Sequence, residues 1–84
     1  MPTISIFYGI TIMMRQRDKE HNPPHIHATY GEYWAVFLIR DGARIEGKFP
    51  KRAEAMVKEF ISKNKTQLLE MWESGNFKKL EGLK

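Results

Sequence analysis

Three histidines stand within seven residues, His21-Asn22-Pro23-Pro24-His25-Ile26-His27, and the chain has no others. Imidazole exchanges protons near neutrality and ligates transition metals, so the chemistry of this sequence concentrates there. His25 and His27 are two apart, and on a strand that spacing sends both rings to one face. With His21, Asp18 or Glu20 swinging in from the polar loop, they make a three-ligand site for zinc, nickel or iron. The pair also suits acid–base work. Cleaving RNA without a metal needs one group to take the 2′-hydroxyl proton, another to protonate the leaving oxygen, and cations for the developing charge. His25 and His27 are the candidate catalytic pair, Arg15, Arg17 and Arg52 the candidate cations, and Tyr30 the candidate hydroxyl. Arg52 stands out among the helix cations, because an arginine at a helix N-terminus opposes the helix dipole. A plainer reading fits the same residues. The prolines then make a stiff corner, and the imidazoles bond backbone carbonyls and pack on Trp34 or Leu38.

The elements that must hold these side chains are legible as patterns. From Thr3 to Arg15 the chain alternates, with Ile4, Ile6, Tyr8, Ile10, Ile12 and Met14 on one parity. Period two with β-branched residues predicts strand, and Gly9 predicts a break into two short ones. Gln16 to Pro24 is polar and ends in Asn-Pro-Pro, a loop by its punctuation. Either X-Pro bond there is open to the cis form. His25–Tyr30 and Tyr33–Ile39 are the next strands, joined at Gly31-Glu32. A two-residue turn pairs Tyr30 with Tyr33, Ala28 with Ala35 and Ile26 with Phe37 on one apolar face. The other face then carries His25, His27, Thr29, Trp34, Val36 and Leu38. Asp41-Gly42 predicts a further hairpin into a short strand around Ala43–Lys48.

Pro50 suits the first position of a helix, where a missing N–H costs nothing. Ala53, Met56, Val57, Phe60 and Ile61 form its apolar stripe. Asn64 with Gln67 resembles a capping box for a second helix with Leu68, Leu69 and Trp72 inside, stopped by Gly75-Asn76. Phe77, Leu80 and Leu83 are expected to fold back onto the domain. Sheet first and helices second predicts one α+β domain over residues 1–84: an antiparallel meander of three to five strands, with two C-terminal helices packed on one face.

Composition bounds the rest. A chain of 84 residues buries only roughly 60–65% of the surface that its unfolded form exposes. The core is thin, and Trp34, Val36 and Leu38 form an apolar set on the other face, so a homodimer or a covering partner is expected. Cysteine is absent, which excludes disulfides and thiolate metal sites. No apolar run spans a membrane and no cleavable leader is apparent, so a cytoplasmic protein is expected. Net charge is +4; residues 1–49 carry six Lys/Arg against five Asp/Glu, and residues 50–84 eight against five. That balance admits an acidic partner protein or RNA.

Taken together, Met1-Pro2-Thr3-Ile4-Ser5, Gly9-Ile10, the His21–His27 stretch, Tyr30-Gly31-Glu32, Gly47-Lys48-Phe49-Pro50-Lys51-Arg52 and Leu68-Leu69-Glu70 with Trp72 carry a resemblance. The sequence resembles the small bacterial and archaeal proteins grouped as domain of unknown function 4160. It departs from their pattern at Glu20, where Asp is usual, and at Ile26, where Phe is usual. The resemblance implies a gene beside a member of domain of unknown function 2442, and hence a toxin–antitoxin pair. It implies no catalytic residues. The expected function is an interaction module of such a pair, binding a partner protein and RNA. The alternatives are an RNA-cleaving toxin using His25 and His27, or a His-based protein holding a divalent transition metal.

Overall fold

A computed structural model describes residues 2–15 and 23–84. Five strands, β1 (Thr3–Phe7), β2 (Ile10–Met13), β3 (His25–Tyr30), β4 (Tyr33–Leu38) and β5 (Arg44–Lys48), precede two helices, α1 (Lys51–Lys63) and α2 (Lys65–Ser74). The strands pair in chain order as one antiparallel meander, and the α+β architecture expected from the sequence is present.

Turn chemistry sets the register. Tyr8 and Gly9 both hold positive φ, 50° and 79°, as a type I′ hairpin requires, and Phe7 faces Ile10 across it. Gly31 at φ 58° opens the β3–β4 turn. Tyr30 then pairs with Tyr33, Ala28 with Ala35 and Ile26 with Phe37, as the turn length predicts. At the third hairpin the Asp41 side chain accepts from the Ala43 N–H at 3.0 Å, and Gly42 N–H donates to Leu38 O. Gly47 sits at φ 83°, and a Cβ there would stand 2.3 Å from Trp34 O. Only glycine lets β5 lie against β4 at that point.

One parity expectation fails. A bulge between Thr3 and Ser5 shifts β1 against β2, so the apolar parity changes sides partway along the strand. Ile6 is 66% exposed and Tyr8 is exposed, while Phe7 is buried and stacks on Phe60 at 5.1 Å.

The core lies between the sheet and the helices. Ile4, Ile10, Ile12, Ile26 and Phe37 from the sheet meet Ala53, Val57, Phe60 and Ile61 of α1 and Leu68, Met71 and Trp72 of α2. Met56 and Leu69 pack at its margin rather than in it. Pro50 is the N-cap and not the first helical residue: its backbone is extended at ψ 143°, and its carbonyl accepts the Glu54 N–H at 2.8 Å. Arg44 ties β5 to α1, donating to Glu54 at 2.8 Å and to Gly47 O at 2.6 Å. The capping box at Asn64 does not form. That side chain turns back and donates to Phe60 O at 3.0 Å, because Asn64 still closes the last turn of α1. Gly75, at φ 76°, ends α2 as expected. Phe77, Leu80 and Leu83 do fold back, with Leu80 N–H donating to Ile4 O at 2.7 Å along the β1 edge.

Candidate functional site

The Pro23-Pro24 step has no N–H to give, so its carbonyls must take donors from elsewhere. Ile39 N–H donates to Pro24 O at 3.0 Å, which carries the β3–β4 ladder past the end of β3. The His25 ring Nδ1 lies 2.9 Å from Pro23 O. A carbonyl only accepts, so Nδ1 carries the proton, and in the neutral ring Nε2 is the atom with the lone pair. No described peptide bond is cis.

His25 pairs with Leu38 across the β3–β4 ladder, and His27 pairs with Val36 on one side and Met13 on the other. The two imidazoles share a face as their spacing predicts, with centroids 5.3 Å apart and planes at 63°. The Trp72 ring approaches His25 to 4.9 Å, so the helical layer reaches the end of β3. His27 is half-buried, and its Nε2 is sealed from water with no hydrogen-bond partner among the described residues. Burial, and then the charges of His25 and Arg15, hold its pKa below the ordinary 6.5, with Glu46 pulling the other way. At neutral pH His27 is therefore an uncharged imidazole.

The other candidates do not converge on this pair. Tyr30 ends β3 five residues from His25, about 17 Å of extended strand away, and belongs to the parity of Ile26 and Ala28 rather than that of the histidines. Its ring lies 6.3 Å from Phe49. Arg52 is exposed in the first turn of α1, the helix that covers the opposite face of the sheet. Arg15 is exposed and near enough to His27 to disfavour its charged form. Arg17, Asp18, Glu20 and His21 lie outside the described residues. Among the described residues no group of three His, Cys, Asp or Glu side chains is placed to hold a metal. The imidazole–carbonyl bond of the plainer reading is present, from the His25 ring to Pro23 O. Sequence reasoning missed Trp72, whose ring meets that of His25 through tertiary packing alone.

The apolar set expected on the histidine face is also different. Val36 and Leu38 are buried, each 5% exposed; Val36 stands between His27 and Glu46 in the register, and Leu38 beside His25. Trp34 remains 52% exposed, and the register row Ile6–Thr11–Thr29–Trp34 adds Ile6 to the same face. No described helix is long and apolar enough to cross a membrane.

Neither a curated protein nor a solved structure matches the chain. A family match does, and it runs over residues 9–73, from the first hairpin turn through the histidine pair and the β5–α1 corner to the end of α2. With that much of its length matched, the chain belongs to the family described as Domain of unknown function (DUF4160).

Proposed function

We propose that this chain is the interaction module of a two-component, toxin–antitoxin-like pair, and that it binds an acidic partner protein through the sheet face opposite its helices. The observation that supports this most directly is the pair of large apolar side chains, Ile6 and Trp34, left exposed in one register row on that face. Lys48 pairs with Trp34 across β4–β5 and is exposed, and the chain as a whole is +4, so the apolar contact sits beside positive charge. An exposed tryptophan flanked by charge has the make-up of an interface anchor. The test is co-purification and titration with a domain of unknown function 2442 protein, the partner that the family resemblance implies. Trp34→Ala should cost about 2–4 kcal/mol of binding while leaving the melting curve in place, because an exposed side chain contributes little to the fold. Undiminished binding by the Ile6→Ser, Trp34→Ala double variant overturns the reading.

A second reading, an RNA-cleaving toxin, is favoured by one observation: two imidazoles side by side, one of them neutral near pH 7. Neither Tyr30 nor Arg52 assists them, so cleavage would rest on His25 and His27 with Arg15 as the cation. Incubating RNA with the tag-free protein, with and without EDTA, separates the readings. Cleavage that His25→Ala abolishes in a folded protein selects the enzyme; intact RNA throughout rejects it.

A further inference from the structure

We propose that His25 and His27 form a two-imidazole site for a divalent transition metal of the zinc class, on the same sheet face as Ile6 and Trp34 but using neither of those side chains. Three features of the pair carry this. First, the Nδ1–H of His25 is held by the Pro23 carbonyl at 2.9 Å. That is the outer bond by which metal-ligating histidines fix their tautomer and ring orientation, and it presents Nε2 as the donor atom. The next carbonyl along, Pro24 O, accepts the Ile39 N–H at 3.0 Å and ties the corner to the end of β4. Second, Nε2 of His27 is buried and has no hydrogen-bond partner among the described residues, and a buried polar atom left unsatisfied is costly unless something binds it. Third, the separation fits. Two imidazoles on one tetrahedral ion, with metal–nitrogen bonds of about 2.0–2.1 Å, place their ring centroids roughly 5 Å apart. The observed centroid distance is 5.3 Å.

The ligand class follows from the donors. Two neutral nitrogens without thiolates suit Zn²⁺, Ni²⁺, Cu²⁺ or Co²⁺ over Mg²⁺ or Ca²⁺, which demand oxygen. Among the described residues His25 and His27 are the two ligands that the protein offers.

Trp72 makes the proposal directly readable. Its ring lies 4.9 Å from that of His25 and is buried, so a paramagnetic ion on the pair must quench it. The chain has one other tryptophan, Trp34, which Trp34→Phe removes from the signal. Tag-free Trp34→Phe protein titrated with Co²⁺ should lose Trp72 emission at one equivalent, gain the visible bands of a four-coordinate cobalt centre, and recover on adding chelator or excess Zn²⁺. His25→Ala and His27→Gln in the same background should each weaken binding by more than the roughly 10–100-fold that loss of an outer-shell partner costs. Circular dichroism confirms that each variant is folded; if His27→Gln is not, His25→Ala decides alone. Absence of quenching by the parent protein overturns the proposal, and so does the same affinity in a folded His25→Ala variant. Partner binding through Trp34 is read in separate titrations, so either proposal can fail without the other.

Discussion

Single residues carry two departures from ordinary conformation or charge, and each has a measurable consequence. Tyr8 is the one described non-glycine residue with positive φ, at 50°, and its side chain is 58% exposed, so little packing offsets the backbone cost. Asparagine before glycine is the preferred type I′ turn pair. Tyr8→Asn should therefore stabilise the fold by about 0.5–1 kcal/mol, read as a higher urea midpoint at unchanged slope. A lower midpoint would mean that the ring contributes contacts that its exposure hides. The second departure is His27. In the unfolded chain an ordinary imidazole takes its proton near pH 6.5; in the folded chain burial delays protonation to lower pH. Between those two points the unfolded state binds more protons, so stability falls as the pH drops below 6.5 and levels off once the folded His27 is charged. Above pH 6.5 both forms are neutral and His27 adds no slope. With chelator present, the urea midpoint of the wild type should fall between pH 7 and 5.5 more steeply than that of His27→Gln. Equal slopes would show that His27 is solvated alike in both states.

At the scale of elements, what was legible in the sequence was what short-range rules decide. The Gly31-Glu32 turn fixed the β3–β4 register, period two put both histidines on one face, and the 3–4 spacing of Ala53, Val57, Phe60 and Ile61 gave the buried side of α1. What was not legible depended on contacts between elements. No glycine marks the bulge between Thr3 and Ser5, so the exposure of Ile6 and the burial of Phe7 could not be read from alternation. Asn64 looked like a cap because its type fits, but the junction of α1 and α2 assigns its side chain to Phe60 O. Tyr30 and Arg52 have the chemistry to assist the histidines, but their positions in the fold keep them apart from the pair. The C-terminal tail shows how such contacts matter. It has no helix or strand of its own, yet Leu80 N–H bonds Ile4 O, and the Cβ of Phe7 stands 2.7 Å from where a side chain on Gly82 would begin. A chain ending at Asn76 loses Phe77, Leu80 and Leu83 from the core margin and uncovers the β1 edge. It should melt lower than the full chain and form larger species in light scattering, since an uncovered edge pairs with other edges. A truncated chain that stays monomeric with an unchanged melt would show that the tail only rests on the surface.

At the scale of the whole molecule, the two sheet edges and the helix-free face offer different routes to association. The tail occupies the β1 edge, and β5 carries a register shift at Val36/Phe37 together with the left-handed Gly47, both of which spoil a flat pairing edge. On the proposed function, the Ile6–Trp34 face is then the route for self-association and for the partner alike. Charge distinguishes the two. Copies of a +4 chain repel one another, so screening by salt should strengthen self-association through the apolar contact, whereas the same screening should weaken the grip on an acidic partner. Light scattering of the chain alone should give a mass that rises with protein concentration and rises further from about 50 mM to 500 mM salt, a range over which the Debye length shrinks severalfold. The partner complex should dissociate more readily over that range. The Ile6→Ser, Trp34→Ser variant should scatter as a monomer under both conditions. If the wild-type chain is a monomer at every concentration and salt, the face serves a partner alone. If partner affinity is indifferent to salt, the contact is apolar throughout and the partner need not be acidic.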